Sequence, residues 1–170
     1  MTLDQLNHLP PPEAWIAFER CCGASAWVEY MCARRPFRDP AELMREAERL
    51  AARLRPEDWR EAFAHHPRIG DAVALRARFP ATAGWARDEQ GGAAAAPDAT
   101  LEALARGNRE YEERFGFTFV VCATGKSAEE MLAMLEARLG NPRDVELAIA
   151  AEEQMKITRL RLEKLLGEAP

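Results

Sequence analysis

"FGFTFVVCATG", residues 115–125, is the stretch on which the fold class turns. Aromatic and β-branched side chains crowd here, a composition that favours extended backbone. A lone strand cannot satisfy its peptide groups in a sheet of its own, and every strong signal around it is helical. We therefore read residues 115–123 as a buried, partly extended segment threaded through an α-helical bundle and lining a pocket. The fold class that follows is all-α, a single-domain helical bundle over residues 1–170.

Upstream, "NREYEERFGF" (108–117) spaces Tyr111 and Phe115 four apart, as on the core face of a helix. Downstream, Ser127 precedes Glu130 by three, a capping-box spacing, and "AEEMLAMLEARLG" runs to Gly140. Asn141-Pro142 then opens the longest helix, with Val145, Leu147 or Ala148, Ile157, Leu160, Leu162 and Leu165 as its expected apolar face. Nearer the start, "PPPEAWIAFERCCG" puts Trp15, Phe18 and Cys22 on one face, with Gly23 as a stop. In "DPAELMREAERLAARL", Asp39 suits an N-cap, Pro40 suits N1, and Glu42 completes a box-like start. "RPEDWREAFAHHP" begins at Pro56, turns Trp59 and Phe63 to the core, and ends where Pro67 removes a donor and restricts His66. "GGAAAAPDAT" (91–100) reads as a surface loop.

With 170 residues, 48% hydrophobic and 30% charged, the chain has the make-up of one globular domain. A formal charge of −5 argues against a nucleic-acid partner, which needs clustered cations. No apolar run approaches a membrane span, and no basic leader opens the chain. Four cysteines (Cys21, Cys22, Cys32, Cys122) show neither CxxC nor zinc-ligand spacing, so reduced thiols in a cytoplasm are the plain reading and no metal is expected.

Three groups of residues are candidates for chemistry. His65 and His66 cannot point the same way; either is an ordinary helix-end residue, or one is a titrating imidazole held by Pro67. Glu89-Gln90 is a solvated helix end or a carboxylate–amide pair suited to urea-like N–H and C=O groups. Arg138 and Arg161 are surface charges unless one turns inward to clamp a carboxylate.

In order, the chain carries "HPRIGD", then W-x-x-x-E-Q at Trp85 to Gln90, "N-x-x-Y-x-x-RFGFTFVVCATGKS" and "KITRLRLEKL". With "LNHLPPPEAWIAF" and the W-V-x-x-M-x-x-x-RPF run at Trp27 to Phe37, it resembles the 2-oxo-4-hydroxy-4-carboxy-5-ureidoimidazoline (OHCU) decarboxylase family of uric acid degradation over nearly its whole length. The resemblance implies a fold that is all-α, a homodimer, a cytoplasmic enzyme and no cofactor. It implies His66 as general acid or base with Glu89 as the important acid. Pro67, Ala86, Gln90, the segment Phe119, Val120, Val121, Cys122 and Ala123, and Arg161 would hold OHCU, with Arg138 and Arg159 as rivals to Arg161. Ala86 stands where the family pattern has serine, so a hydroxyl contact is missing there. The product implied is (S)-allantoin plus CO2. A non-catalytic ligand-binding module of the same fold is the alternative. A metallohydrolase is disfavoured because adjacent histidines do not make an i, i+4 ligand pair.

Overall fold

The computed structural model describes residues 1–66 and 98–167, except the side chains of residues 98 and 101. Pro67, Ala86, Glu89, Gln90 and residues 91–97 of the expected 91–100 loop lie outside these residues, whereas residues 98–100 open a helix instead of ending a loop. All regular structure among the described residues is helical: α1 (Leu3–His8), α2 (Pro11–Glu19), α3 (Ser25–Arg34), α4 (Pro40–Ala51), α5 (Pro56–Ala64), α6 (Asp98–Phe115), α7 (Ala128–Leu139) and α8 (Arg143–Leu165). No described helix is long and apolar enough to cross a membrane. The chain divides into two compact units, Met1–His65 with Ala151–Pro170, and His66–Ala150.

Helix boundaries follow local chemistry. Asp39 caps α4 by accepting from Glu42 N at 2.6 Å, with Pro40 at N1. Glu42 does not close a box on Asp39; its carboxylate accepts from Arg38 N at 2.7 Å, one residue further out. Ser127 and Glu130 form the full reciprocal box on α7, and Gly140 is its C-cap.

In the first unit, Phe18, Trp27, Met31, Leu43 and Phe63 are fully buried. Each contributes on the order of 1.5–3 kcal/mol by leaving water. Phe18 meets Trp27 edge-on at 6.0 Å, Trp59 and Phe63 stack at 6.2 Å, and Trp27 Nε1 donates to Ala47 O at 3.1 Å. Trp15, expected on the buried face of α2, is only half-buried. The RPF run has a structural role. Arg35 Nη1 donates to the carbonyls of Leu6 and Leu9, both at 2.8 Å, closing the open end of α1. Asn7 exchanges two hydrogen bonds with the backbone of Phe37.

Gly23 is not the stop of α2, which ends at Glu19 with Arg20 as its C-cap. Its small size serves a close approach instead. A Cβ on Gly23 would lie 2.4 Å from Cγ of His65, so the imidazole ring rests against bare backbone.

Cys21 and Cys22 are buried free thiols. Burial pushes them from an ordinary 9.0 up to about 12 and about 11, respectively, with the Arg161 guanidinium pulling the other way. A raised thiol value means the folded chain keeps protons that the unfolded chain sheds. Stability from this pair is therefore complete below pH 9 and is lost as pH rises towards 11–12. Urea unfolding at pH 8 and pH 10 is expected to show a lower midpoint at pH 10, and replacing both thiols by alanine is expected to shrink that difference.

α8 departs from its expected apolar face in its first turns, although Leu147, the alternative to Ala148, is half-buried. Val145 is 44% exposed and Ala148 is exposed, whereas Glu146, Ala150, Gln154, Thr158 and Leu162 are all fully buried, at intervals of four. Ile157 and Leu162 are buried as expected; Leu160 and Leu165 are half-buried. The stripe is displaced by about one residue because its polar members have partners. Thr158 donates its one hydroxyl proton to Gln154 O at 2.9 Å, with Cys21 O also 3.3 Å from the hydroxyl oxygen, and Glu146 is met in the second unit by an arginine.

Candidate active site

The second unit is organised around the stretch from Phe115 to Gly125. Gly116 leaves α6 at φ +81°, a left-handed turn that glycine adopts without strain, and no helix resumes until Ala128. Phe117, Phe119, Val120, Val121 and Cys122 are all buried. The expected buried segment is present as non-helical backbone, though it begins one residue later than expected because Phe115 closes α6. Tyr111 anchors it from α6, its ring lying 4.6 Å from Phe115, 5.7 Å from Phe117 and 5.3 Å from Phe119.

Beneath these rings lies a buried ionic cluster that sequence reasoning missed. Arg138 donates to Glu146 Oε1 through Nε at 2.8 Å and Nη2 at 2.6 Å, and through Nη1 to Val120 O at 2.9 Å. Its guanidinium also covers the Phe119 ring at 4.6 Å. The Tyr111 hydroxyl donates to Glu146 Oε1, and Asn141 Nδ2 donates to Glu146 Oε2 at 2.7 Å. Burial first, then the bond to Glu146, pushes the Tyr111 phenol far above its ordinary value. A signal was available: Ile157 lies eleven residues, about three turns, beyond Glu146 and so shares its helix face.

This geometry separates the rival arginines. Arg138 is committed within the second unit, and Arg159 pairs with Glu48. Among the described residues, Arg161 has one hydrogen bond, Nη1 to Arg20 O at 3.3 Å, and lies close enough to Cys21 and Cys22 to influence both thiols.

The two histidines also separate. His65 is the C-cap of α5 with helical φ −82° and ψ −6°, its ring against Gly23. His66 is the first residue past that cap and is half-buried. Among the described residues, no three His, Cys, Asp or Glu side chains are grouped as a metal site.

Along the extended segment, the supply of peptide groups is uneven. Val120 O is held by Arg138, Cys122 O by Lys126 Nζ at 2.7 Å, and Ala123 O by Lys126 N at 3.0 Å. Among the described residues, the peptide N–H and C=O groups of Phe119 and Val121 make no hydrogen bond, and the buried hydroxyl oxygen of Thr118 has no partner. Such groups are costly in a fold unless a ligand or solvent meets them.

The family model for OHCU decarboxylase matches residues 7–163. The chain belongs to the OHCU decarboxylase family. Within it, a uric acid degradation bifunctional protein of Arabidopsis thaliana is 37% identical over 151 residues, 87% of this chain; the chain spans only 46% of that relative's length. An OHCU decarboxylase of Haloferax volcanii is 27% identical over 163 residues, covering 95% of this chain and 94% of that one. A crystal structure of an OHCU decarboxylase in the presence of (S)-allantoin matches with a TM-score of 0.73 at 36% identity, over 88% of this chain and 96% of that chain. The family match crosses both compact units, and the all-α fold is the family's fold.

Proposed function

We propose that this protein is a cofactor-independent carboxy-lyase that converts OHCU to (S)-allantoin and CO2 in urate breakdown, with residues 1–170 acting as one functional domain. The observation that carries this reading is the 36% identity to an OHCU decarboxylase structure of nearly the same extent, with (S)-allantoin present.

The substrate supplies its own electron sink. When the C–C bond to the carboxylate breaks, its electron pair forms a double bond to the neighbouring ring carbon. The C=N pair of that carbon moves onto nitrogen, which takes a proton. The same ring carbon is then protonated on one face as the adjacent hydroxyl loses its proton and becomes the carbonyl of allantoin. One proton is consumed overall, and no metal or organic cofactor is required. The protein has to keep the carboxylate out of the ring plane, away from bulk water, and to deliver that proton to one face.

In this reading His66 is the acid–base group and Glu89 orients it or the substrate. Pro67, Ala86 and Gln90 contact substrate beside them, and Arg161 takes the carboxylate. The segment from Phe119 to Ala123 recognises the ureido and ring amide groups through its unpaired peptide groups. The active form is a homodimer in a reducing cytoplasm, in keeping with four free thiols.

A coupled assay supplies urate, urate oxidase and hydroxyisourate hydrolase, then follows OHCU absorbance and product circular dichroism. The expected result is faster decay with accumulation of (S)-allantoin, retained after exhaustive chelation and lowered by Glu89→Gln. Light scattering is expected to read twice the 19.0 kDa chain mass. Tight allantoin binding without turnover would make the protein a binding module instead.

A further inference from the structure

We propose that Arg138 and Lys126 are positioning residues that grip the extended segment by alternate carbonyls and so set which peptide groups it offers to substrate. This rests on the functional reading above and adds to it the means by which the segment is held. Two carbonyls of one non-helical run are held by cations: Arg138 Nη1 donates to Val120 O at 2.9 Å and Lys126 Nζ to Cys122 O at 2.7 Å. Residues two apart in an extended chain present their carbonyls to the same side. Pinning these two carbonyls leaves both peptide groups of Phe119 and of Val121 without a bond among the described residues, together with the N–H of Val120.

The two cations differ in surroundings. Arg138 is buried and neutralised by Glu146. Lys126 is half-buried and makes no ion pair among the described residues, so its charge stays at the end of the segment. In a chain of net charge −5, a lysine fixed there also favours an anionic substrate. A ureido group needs both acceptors and donors, and the peptide groups left over, those of Phe119 and Val121 among them, supply both. The Thr118 hydroxyl, buried and unpartnered among the described residues, lies next along the same run.

Lys126→Met tests the grip without touching the buried cluster. With OHCU generated in place, the expected result is a KM raised about tenfold, the value of one lost hydrogen bond of moderate strength, with kcat changed less. Lys126→Arg is expected to recover most of the loss. Arg138→Lys keeps the charge beside Glu146 but cannot span both Glu146 and Val120. It is expected to raise KM and to speed amide hydrogen exchange in the 117–126 peptide more than elsewhere. A folded Lys126→Met variant with wild-type KM and wild-type exchange would overturn the proposal while leaving the decarboxylase reading intact. A wild-type protein that neither speeds OHCU decay nor gives optical excess would overturn that reading, and the positioning role with it.

Discussion

His66→Asn is expected to abolish enzymatic OHCU decay, and His65→Asn to retain most of it. His65 is the helical C-cap of α5, and its ring lies against the bare backbone of Gly23. His66 is the first residue past that cap and is followed by Pro67, which restricts its backbone. Losing a general acid or base costs about 10²–10⁴ in rate. The stereochemistry of the product provides a second readout. Unaided decay gives racemic allantoin, so the His66 variant is expected to show no optical excess above background, and the His65 variant to accumulate the (S) form. The reverse outcome would assign the chemistry to His65 and shift the family motif by one residue.

Arg138→Met is expected to be the most damaging single change to the fold of the second unit. Glu146 has no exposed surface, and Arg138 supplies the positive charge beside it. Removing one partner of a buried ion pair costs about 3–5 kcal/mol, because the remaining charge has neither water nor counter-charge. Val120 O and the Phe119 ring lose their cation as well. Urea denaturation is expected to show a large fall in midpoint for the single variant and a partial recovery for Arg138→Met with Glu146→Leu, which removes both charges. Equal midpoints for wild type and the single variant would mean that the cluster contributes nothing net.

In the proposed reading, substrate recognition and stability are joined in one cluster. The arginine that neutralises Glu146 is the same one that holds Val120 O, so the second unit cannot lose the pair without releasing the segment. Arg138 acts through the backbone. Arg161, proposed as the carboxylate clamp, has a single 3.3 Å hydrogen bond among the described residues.

What the sequence determined by itself was whatever neighbours along the chain decide. Asp39 and Ser127 cap their helices because their side chains reach a backbone N–H three residues on, an interaction contained within one turn. Tyr111 and Phe115 meet because a helix brings residues four apart together, and the run after Phe115 stays out of a helix because its aromatic and β-branched side chains crowd one. Family membership was legible for a related reason: short motifs in fixed order survive as residues, without coordinates. Tertiary structure decided the rest. Gly23 reads as a helix stop along the chain, yet its bare backbone receives the ring of His65, more than forty residues away, about a distance no local pattern spans. α8 reads as phased on Val145, but a carboxylate can be the buried member of a stripe when an arginine from another helix neutralises it, and no pattern within α8 announces that partner. Arg138 and Arg161 are equivalent as letters. What lies within about 3 Å of each guanidinium tells them apart, because the cost of burying a charge is set by partners distant in sequence.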